Sequence, residues 1–140
     1  MRFMMLVKAS KESEAGALPD GKILAEMGRY NEELVKAGVL LAGEGLHPSS
    51  KGARVRYAGS KRTVLDGPFS ETKELLAGFW IIQVRSREEA LEWARRIPFQ
   101  EGEVELRQIF ETADFAPVDP TGELRRQEEE LRRAVEAQRR

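Results

Sequence analysis

The apolar positions in the first part of the chain predict a strand followed by an amphipathic helix. Residues 2–8, RFMMLVK, form a short apolar run of the kind found in buried strands. Residues 9–19 are small and polar and predict a loop, and Asp20 then stands where a helix N-cap is expected. Beyond it, apolar residues recur with the spacing of one helix face: Ile23, Met27, Tyr30 and Leu34. Gly38 provides a residue that tolerates positive φ where this helix should end.

The middle of the chain predicts a short strand, a hairpin and a central strand. Residues 39–48 are apolar and are interrupted by glycines, which is typical of a short strand. Apolar and charged residues alternate before Gly59-Ser60, which supplies a turn, and Thr63, Val64 and Leu65 resume a strand after it, so residues 53–67 predict a small hairpin. Residues 76–84, LAGFWIIQV, are the most apolar run and predict a central strand.

A second helix and a last strand complete the pattern. Ser86 and Glu89 have the spacing of a capping box, and Pro98 should end the helix that they begin. Residues 104–110, VELRQIF, alternate between apolar and polar as a half-buried strand does. The order β-α-β, inserted hairpin, β-α-β is that of the α+β ferredoxin-like split βαβ fold, with helices on one face of an antiparallel sheet.

The opposite face of this sheet also requires a cover. We expect the apolar side chains of the strands to populate both faces, among them Phe3, Met5, Trp80 and Ile82. Since no remaining segment is apolar enough to cover the second face, two sheets should pack face to face in a homodimer and form a dimeric α/β barrel. Phe79 and Trp80 are expected in the core and the dimer interface first, and in a pocket lining second.

The end of the chain differs in composition from the rest. We therefore divide the chain into a domain at residues 1–116 and a charged C-terminal helical extension at residues 117–140. Opposite charges four positions apart, as in Glu128 and Arg132, favour a helix. The apolar stripe of that helix is thin, so it is either solvated or docked on a partner subunit through Leu124 and Leu131.

Composition and charge narrow the classes of function. Lysine and arginine number 23 against 24 aspartates and glutamates, so the net charge of −1 gives no reason to expect nucleic acid or an anionic membrane as a partner. The absence of cysteine excludes disulfides, thiolate catalysis and cysteine-ligated metals. No apolar run approaches the length of a membrane span or of a signal-peptide core, and we expect a cytoplasmic protein.

Several segments together carry a resemblance to a known family. They are GEGLHP at 43–48, VR at 55–56, VLDGPFSETKELLAGFWII at 64–82, EEALEWARRIP at 88–98 and VELRQI at 104–109. In order and content they resemble the YCII-related family, and specifically its DGPF branch, named for the tetrapeptide that stands here at residues 66–69. The likeness covers residues 1–112 and implies a ferredoxin-like dimeric α+β barrel. Many such relatives lie beside extracytoplasmic-function sigma factors or are fused to them, which implies a transcription-regulatory partner.

One feature of the wider family does not carry over to this chain. The wider group is thought to use a His–Asp pair in a cleft between subunits, with the histidine on the first helix. Here the only histidine is His47, and the first helix offers Tyr30 and Asn31 in that region instead. Asp66 therefore corresponds only to the aspartate of the DGPF motif, without an assigned role as acid or base.

Two carboxylates are the candidate catalytic residues. Asp66 begins an Asp-Gly-Pro sequence, so it either caps its own turn or faces a cavity as a hydrogen-bond acceptor or general base. Glu44 lies between Gly43 and Gly45, which permit close approach of a ligand or of other backbone. Two carboxylates in one desolvated cleft would acquire separated pKa values suited to proton transfer. The alternative is that Lys73 or Arg56 neutralises Glu44 in an ion pair.

The candidate ligand-binding residues surround these two carboxylates along the sequence. They are His47, Arg56, Phe69, Lys73 and Glu74. Ser70 and Lys73 match the S-x-x-K pattern of acyl-serine enzymes, but the partner motifs of that chemistry are missing and the chain is too short. A single histidine without a second one at ligand spacing does not predict a metal site, and no cofactor is predicted.

Three functions are compatible with this pattern. The first is a homodimeric protein that binds or senses a small-molecule metabolite in a pocket at the sheet and dimer cleft, in connection with sigma-factor regulation. The second is a cofactor-independent enzyme in which Asp66 or Glu44 moves a proton. The third is a partner of a transcription system that acts through its charged C-terminal helix. Because dimeric barrels host both enzymes and binding proteins, the fold alone does not choose among them.

Overall fold

The computed structural model describes residues 1–140 and consists of a four-stranded sheet, a two-stranded hairpin and four helices. The strands are β1 (Arg2–Lys8), β2 (Leu40–Gly45), β3 (Ala53–Ala58), β4 (Lys61–Asp66), β5 (Leu76–Gln83) and β6 (Val104–Gln108). The helices are α1 (Lys11–Glu14), α2 (Gly21–Lys36), α3 (Arg87–Arg95) and α4 (Glu123–Gln138), and 3-10 turns lie at Ser49–Lys51, Thr72–Glu74 and Thr112–Val118.

The sheet has the strand order of a ferredoxin-like fold. Its strands follow the order β2-β5-β1-β6 and all neighbouring pairs are antiparallel. The hairpin β3–β4 is a separate two-stranded sheet inserted between β2 and β5. The predicted fold class is thereby confirmed, because each half of the chain contributes one β-α-β unit to a single sheet.

The first helical segment was only partly predicted. Asp20 caps α2 as expected, since its side chain accepts a hydrogen bond from the Ile23 N–H at 2.8 Å, and Gly38 has a φ of 73° just beyond the helix. The predicted loop at residues 9–19, however, contains the short helix α1. Ser10 and Ser13 cap that helix reciprocally, each accepting the other's backbone N–H, which stabilises a turn that has no apolar periodicity.

The cap of α3 differs in one detail from the predicted capping box. Ser86 accepts from the Glu89 N–H at 3.1 Å, as predicted. The Glu89 carboxylate instead accepts from the Arg85 N–H at 3.0 Å, one residue before the cap. The helix ends at Arg95, three positions before Pro98.

The apolar side chains are distributed between the two faces of the sheet differently from the prediction. Phe3, Met5, Trp80 and Ile82 do not populate both faces, because Phe3 pairs with Ile82 and Met5 with Trp80 on the single face that the helices cover. These four residues are at most 4% exposed. The opposite face, called the open face here, carries the half-buried side chains Met4, Leu6, Phe79 and Ile81.

The beginning of α4 is held by a buried carboxylate. Asp119 is 5% exposed and accepts hydrogen bonds from the backbone N–H groups of Leu124 and Arg125 and from the Arg125 Nε, at 3.0–3.2 Å. These hydrogen bonds, chiefly the one from the Arg125 backbone, hold the pKa of Asp119 below its usual range. Asp119 thus replaces the missing side-chain cap at Gly122. The apolar stripe beyond this start is exposed, with Leu124 and Leu131 each 62% accessible.

None of the helices combines the length and the apolar character that crossing a membrane would require. The division of the chain at residues 116 and 117 stays a prediction. In the structure this boundary falls inside the 3-10 turn Thr112–Val118, which connects β6 to α4.

Candidate functional site

A groove opens at one end of the sheet, between α2 and the strands β2 and β5. Its volume is about 180 Å³ and its lining is mostly apolar. The side chains that shape it are Met27, Asn31, Trp80 and Phe99. None of its lining residues is a lysine, an arginine or a histidine.

Glycines let the strands form the floor of this groove. A Cβ on Gly43 would lie 2.9 Å from the Cδ1 of Trp80, so only glycine lets that indole lie against β2. A Cβ on Gly78 would lie 2.7 Å from the Glu44 carbonyl oxygen, which explains the absence of a side chain there. A Cβ on Gly45, in contrast, would meet nothing within 4 Å, because that position faces the open groove.

One hydrogen bond links the helix wall of the groove to its sheet wall. The Trp80 Nε1–H donates to the Asn31 Oδ1 at 2.8 Å. An indole N–H can only donate, so this contact assigns the amide oxygen of Asn31 to Trp80 and leaves the amide NH2 on the other side. The NH2 group has no hydrogen-bond partner in the chain, and no buried side-chain nitrogen or oxygen lacks one, so the NH2 is open to solvent.

A buried aromatic cluster packs against the core side of the residues that form the wall of the groove. The Tyr30 ring lies edge-on to both tryptophans, with centroids 5.5 Å from Trp80 and 6.3 Å from Trp93. The Tyr30 hydroxyl donates to the Trp93 carbonyl at 2.7 Å, and burial raises the pKa of Tyr30 well above its usual value. On the groove side, the Trp80 and Phe99 rings are 6.3 Å apart. Trp80 therefore belongs to the core and to the groove at once.

The DGPF tetrapeptide lies in a second, polar cluster. Ser49 connects its parts: its N–H donates to the Glu14 carboxylate at 2.9 Å, its hydroxyl donates to the same carboxylate, and its Oγ accepts from the Phe69 N–H at 3.0 Å. A Cβ on Gly67 would lie 1.8 Å from the Ser49 carbonyl oxygen. We call this set of contacts, made by Glu14, Ser49, Gly67 and Phe69, the Ser49 clasp. It holds α1, the turn after β2 and the end of the hairpin together.

The hydrogen bonds of the Ser49 clasp also act on a titratable group. The hydrogen bonds from the side chain and backbone of Ser49 to the Glu14 carboxylate favour its charged form and hold its pKa below the usual range. Close to the clasp, the Arg54 guanidinium lies 3.8 Å above the Phe69 ring and 3.4 Å from the Glu71 carboxylate. The sequence singled out Arg56 here, whereas Arg54, two positions nearer the base of the hairpin, makes these contacts.

Neither predicted catalytic carboxylate makes an ion pair, although Glu44 is among the residues that line the groove. Asp66 ends β4 with an exposed side chain that makes no hydrogen bond to its own turn or to any other residue. Glu44 pairs with Phe79, so strand alternation directs its carboxylate to the open face and away from Trp80. No ion pair joins Glu44 to Lys73 or Arg56, and that predicted alternative is wrong.

The predicted ligand-binding residues are mostly exposed. His47, Arg56, Lys73 and Glu74 are exposed side chains, and none of them takes part in an ion pair. Phe69 is half-buried beside Arg54. The segment 66–74 and the end of β2 do share one end of the sheet, because the Leu46 N–H donates to the carbonyl of Ala77, next to the start of β5. No group of three histidine, aspartate or glutamate side chains that could hold a metal ion occurs.

Residues with no obvious sequence signal form most of the contacts just described. Asn31 interrupts the apolar face of α2 four positions after Met27, and its signals are this polar interruption and its place in the helix region where the wider family carries a histidine. Glu14 and Ser49 are ordinary loop and turn residues by sequence. Phe99 follows Pro98 outside any predicted element, so neither the helical nor the strand periodicity of apolar residues identifies it.

The fold and the groove define a ferredoxin-like α+β protein with a small apolar site at one end of its sheet. The model of the YCII-related domain matches residues 1–113, and the chain belongs to that family. An uncharacterised protein from Rhizobium meliloti (strain 1021) is 37% identical over 76 residues, which cover 54% of this chain and 61% of the relative. The match thus spans less than two thirds of that relative's length. Membership in the DGPF branch stays a prediction.

A distant likeness to a solved structure concerns the fold alone. The chain is similar to 5-chloro-2-hydroxyhydroquinone dehydrochlorinase (TftG) from Burkholderia phenoliruptrix AC1100, solved in complex with 2,5-dihydroxybenzoquinone. The TM-score is 0.42 and the identity 14%, over 79% of this chain and 94% of that chain. At this distance the likeness carries no conclusion about chemistry.

Proposed function

We propose that the protein binds a small molecule in the groove between α2 and the strands β2 and β5, and that it does so as a homodimer. The observation that supports the site is the groove itself, with aromatic walls, a glycine floor and one unpaired amide donor. Small-molecule sites are mostly apolar concavities with a few placed polar groups, and this groove fits that description. It replaces the polar segment 66–74 as our preferred location.

The open face supports the homodimer. Met4, Leu6, Phe79 and Ile81 form adjacent rows on β1 and β5, and their side chains are only half-buried within the single chain. An apolar sheet face of this kind normally packs against another layer, and a second copy of the same face is the symmetric solution. Trp80 and the α2 residues Met27 and Asn31 lie on the helix-covered side of the sheet, so dimerisation through the open face would leave that wall of the groove free, while Glu44 and Phe79 border the groove from the strands.

Light scattering tests the homodimer with a matched pair of variants. Ile81→Glu places a charge in the middle of the open face, and Val64→Glu places the same charge on the hairpin at a side chain that is 65% exposed. We expect wild type and Val64→Glu to have the mass of two 15.8 kDa chains at micromolar concentration, and Ile81→Glu to have the mass of one. A monomeric wild type would contradict the proposal.

A thermal-shift screen against metabolites tests the binding site. A ligand that binds only the folded protein raises its Tm by mass action, by an amount that grows with ligand concentration. Gly45→Val should abolish that shift, because its side chain projects into the groove where no protein atom lies within 4 Å. Gly28→Val on the exposed side of α2 is the control and should retain the shift. A ligand whose effect survives Gly45→Val binds elsewhere.

The alternative functions remain predictions without a favouring observation. Proton transfer by Asp66 and Glu44 gains no support from their exposed and unpartnered side chains. The sigma-factor connection rests on the resemblance to the DGPF branch alone. Deleting residues 118–140 and measuring binding to a purified candidate regulator would test whether α4 mediates such a contact.

A further inference from the structure

We infer that the groove selects a planar, single-ring molecule that carries an uncharged carbonyl group, and that the Asn31 amide NH2 donates a hydrogen bond to that carbonyl oxygen. This inference rests on the proposed binding site. It adds the class of ligand and the residue that would recognise it.

The size of the groove restricts the ligand to about one ring. Its volume of about 180 Å³ is close to that of an engineered apolar cavity of about 150 Å³ that admits benzene. Drug-sized ligands occupy about 300–1,000 Å³, so a multi-ring molecule would extend into solvent.

The walls of the groove favour a flat and polarisable ligand. Phe99 is half-buried and Trp80 is 4% exposed, with ring planes that differ by 44°, so a flat ring can stack on Phe99 and meet only the small accessible part of Trp80. Met27 adds a thioether, which packs well against aromatic rings. The floor at Gly45 has no side chain and no atom within 4 Å of a Cβ position, which allows a planar molecule to approach the backbone closely.

The polar chemistry of the groove favours an acceptor on the ligand. The Trp80 indole N–H already donates to the oxygen of Asn31 at 2.8 Å, whereas the NH2 has no partner in the chain and is the part of this amide that remains free for a ligand. The same bond fixes the plane of the amide, and Trp80 is in this sense a positioning residue. Because no cationic side chain lines the groove, a strongly anionic ligand such as a phosphate would be desolvated without compensation.

A pair of probes of equal shape isolates this hydrogen bond. Acetophenone carries the carbonyl, and α-methylstyrene replaces its oxygen with a CH2 group of similar size. Titration of ¹⁵N-labelled protein with each probe, followed by NMR, reports on the Asn31 NH2 and Trp80 indole signals directly. We expect both probes to shift the indole signal, only acetophenone to move the NH2 signals downfield, and acetophenone to bind about 3- to 10-fold more tightly.

Asn31→Asp provides the matched variant. A carboxylate still accepts from the Trp80 indole N–H, which its signal will show, but it has no N–H to offer and repels a carbonyl oxygen. We expect the preference for acetophenone to disappear or reverse in this variant while α-methylstyrene keeps its affinity. Gly45→Val should block both probes.

The outcomes separate the inference from the proposed function. Equal binding of both probes to wild type, blocked by Gly45→Val, would leave the groove as a binding site and overturn the role of Asn31. An acetophenone preference that survives in Asn31→Asp would also overturn it. If neither probe shifts the Trp80 or Asn31 signals, the groove is not a site for single-ring ligands and the inference is overturned, while the thermal-shift screen with Gly45→Val still decides the proposed function.

Discussion

The groove and the Ser49 clasp lie towards the same end of the sheet, yet they are built in opposite ways. The groove is apolar, its Asn31 NH2 is unpaired, and a Cβ at Gly45 would meet empty space. In the clasp every contact is made within the chain, and a Cβ at Gly67 would meet a backbone oxygen at 1.8 Å. A closed network of this kind holds a loop in place, whereas an open one can take up a ligand. We therefore expect the DGPF tetrapeptide to serve chiefly as structure.

The largest expected effect is that of Gly67→Ala. The added Cβ cannot be accommodated by a side-chain movement, because the atom it meets belongs to the Ser49 backbone. We expect a loss of about 3 kcal/mol in the free energy of unfolding, at the upper end of overpacking costs, measured by urea denaturation. Gly45→Ala is the control in the groove and should change that free energy by less than about 0.5 kcal/mol. Equal effects at both positions would remove the contrast between the two regions.

Ser49→Ala should have the next largest effect. It removes the acceptor of the Phe69 N–H, and an N–H of a half-buried residue left without a partner costs about 1–3 kcal/mol. Ser50→Ala is a matched neighbour whose side chain makes no hydrogen bond, and it should leave the urea midpoint unchanged. If the two serine variants are equally stable, the clasp does not stabilise the DGPF segment.

Glu14→Gln should have a smaller effect that depends on pH. Because folding lowers the pKa of Glu14, its charged form stabilises the fold fully above the usual glutamate pKa of about 4.3, and this contribution is lost as the pH falls through the lower pKa of the folded state. We expect the Tm of the variant to lie below that of wild type at pH 7, and the difference to shrink as the pH falls below about 4. The exposed Glu12→Gln is the control. A difference in Tm that is independent of pH would contradict the assignment.

Asp66→Asn should have the smallest effect on stability. The Asp66 side chain is exposed and unpartnered, so the change in the free energy of unfolding should stay within about 0.5 kcal/mol. Ligand binding in the groove should also be unchanged, which thermal shift in the presence of a groove ligand would measure. A loss of folding would show that Asp66 supports its turn, and a loss of binding with normal stability would return it to the site.

The elements that were predicted well are those with a local cause. Asp20 and Ser86 cap helices by accepting a hydrogen bond from a residue three positions later, and Gly38 ends a helix with a positive φ. Such caps depend only on neighbouring residues and can therefore be predicted from the sequence. The helix α1 was missed because two serines stabilise it without an apolar face. The predicted distribution of apolar residues between the two faces of the sheet is wrong. The register of the strands, and not their composition, decides which alternating set of side chains faces the helices.

The candidate site was located by sequence only to one end of the sheet. The charged residues around the DGPF motif attracted the prediction, since titratable groups near a turn resemble a site when their surroundings are unknown. Charge alone did not predict the hydrogen bond between Trp80 and Asn31, which are 49 residues apart in the sequence. Nor did it predict the hydrogen bond between Ser49 and Glu14, which are 35 residues apart.

The periods of the helices and strands, their caps, the ferredoxin-like order and membership in the YCII-related family could all be inferred from the sequence. These follow from interactions between residues a few positions apart and from motifs that keep their order along the chain. Which polar groups are satisfied and which stay available depends instead on tertiary packing. That outcome depends on the strand register and on the approach of α2 to the sheet, which place the Trp80 indole N–H on the oxygen of Asn31 and leave the Asn31 NH2 without a partner in the chain.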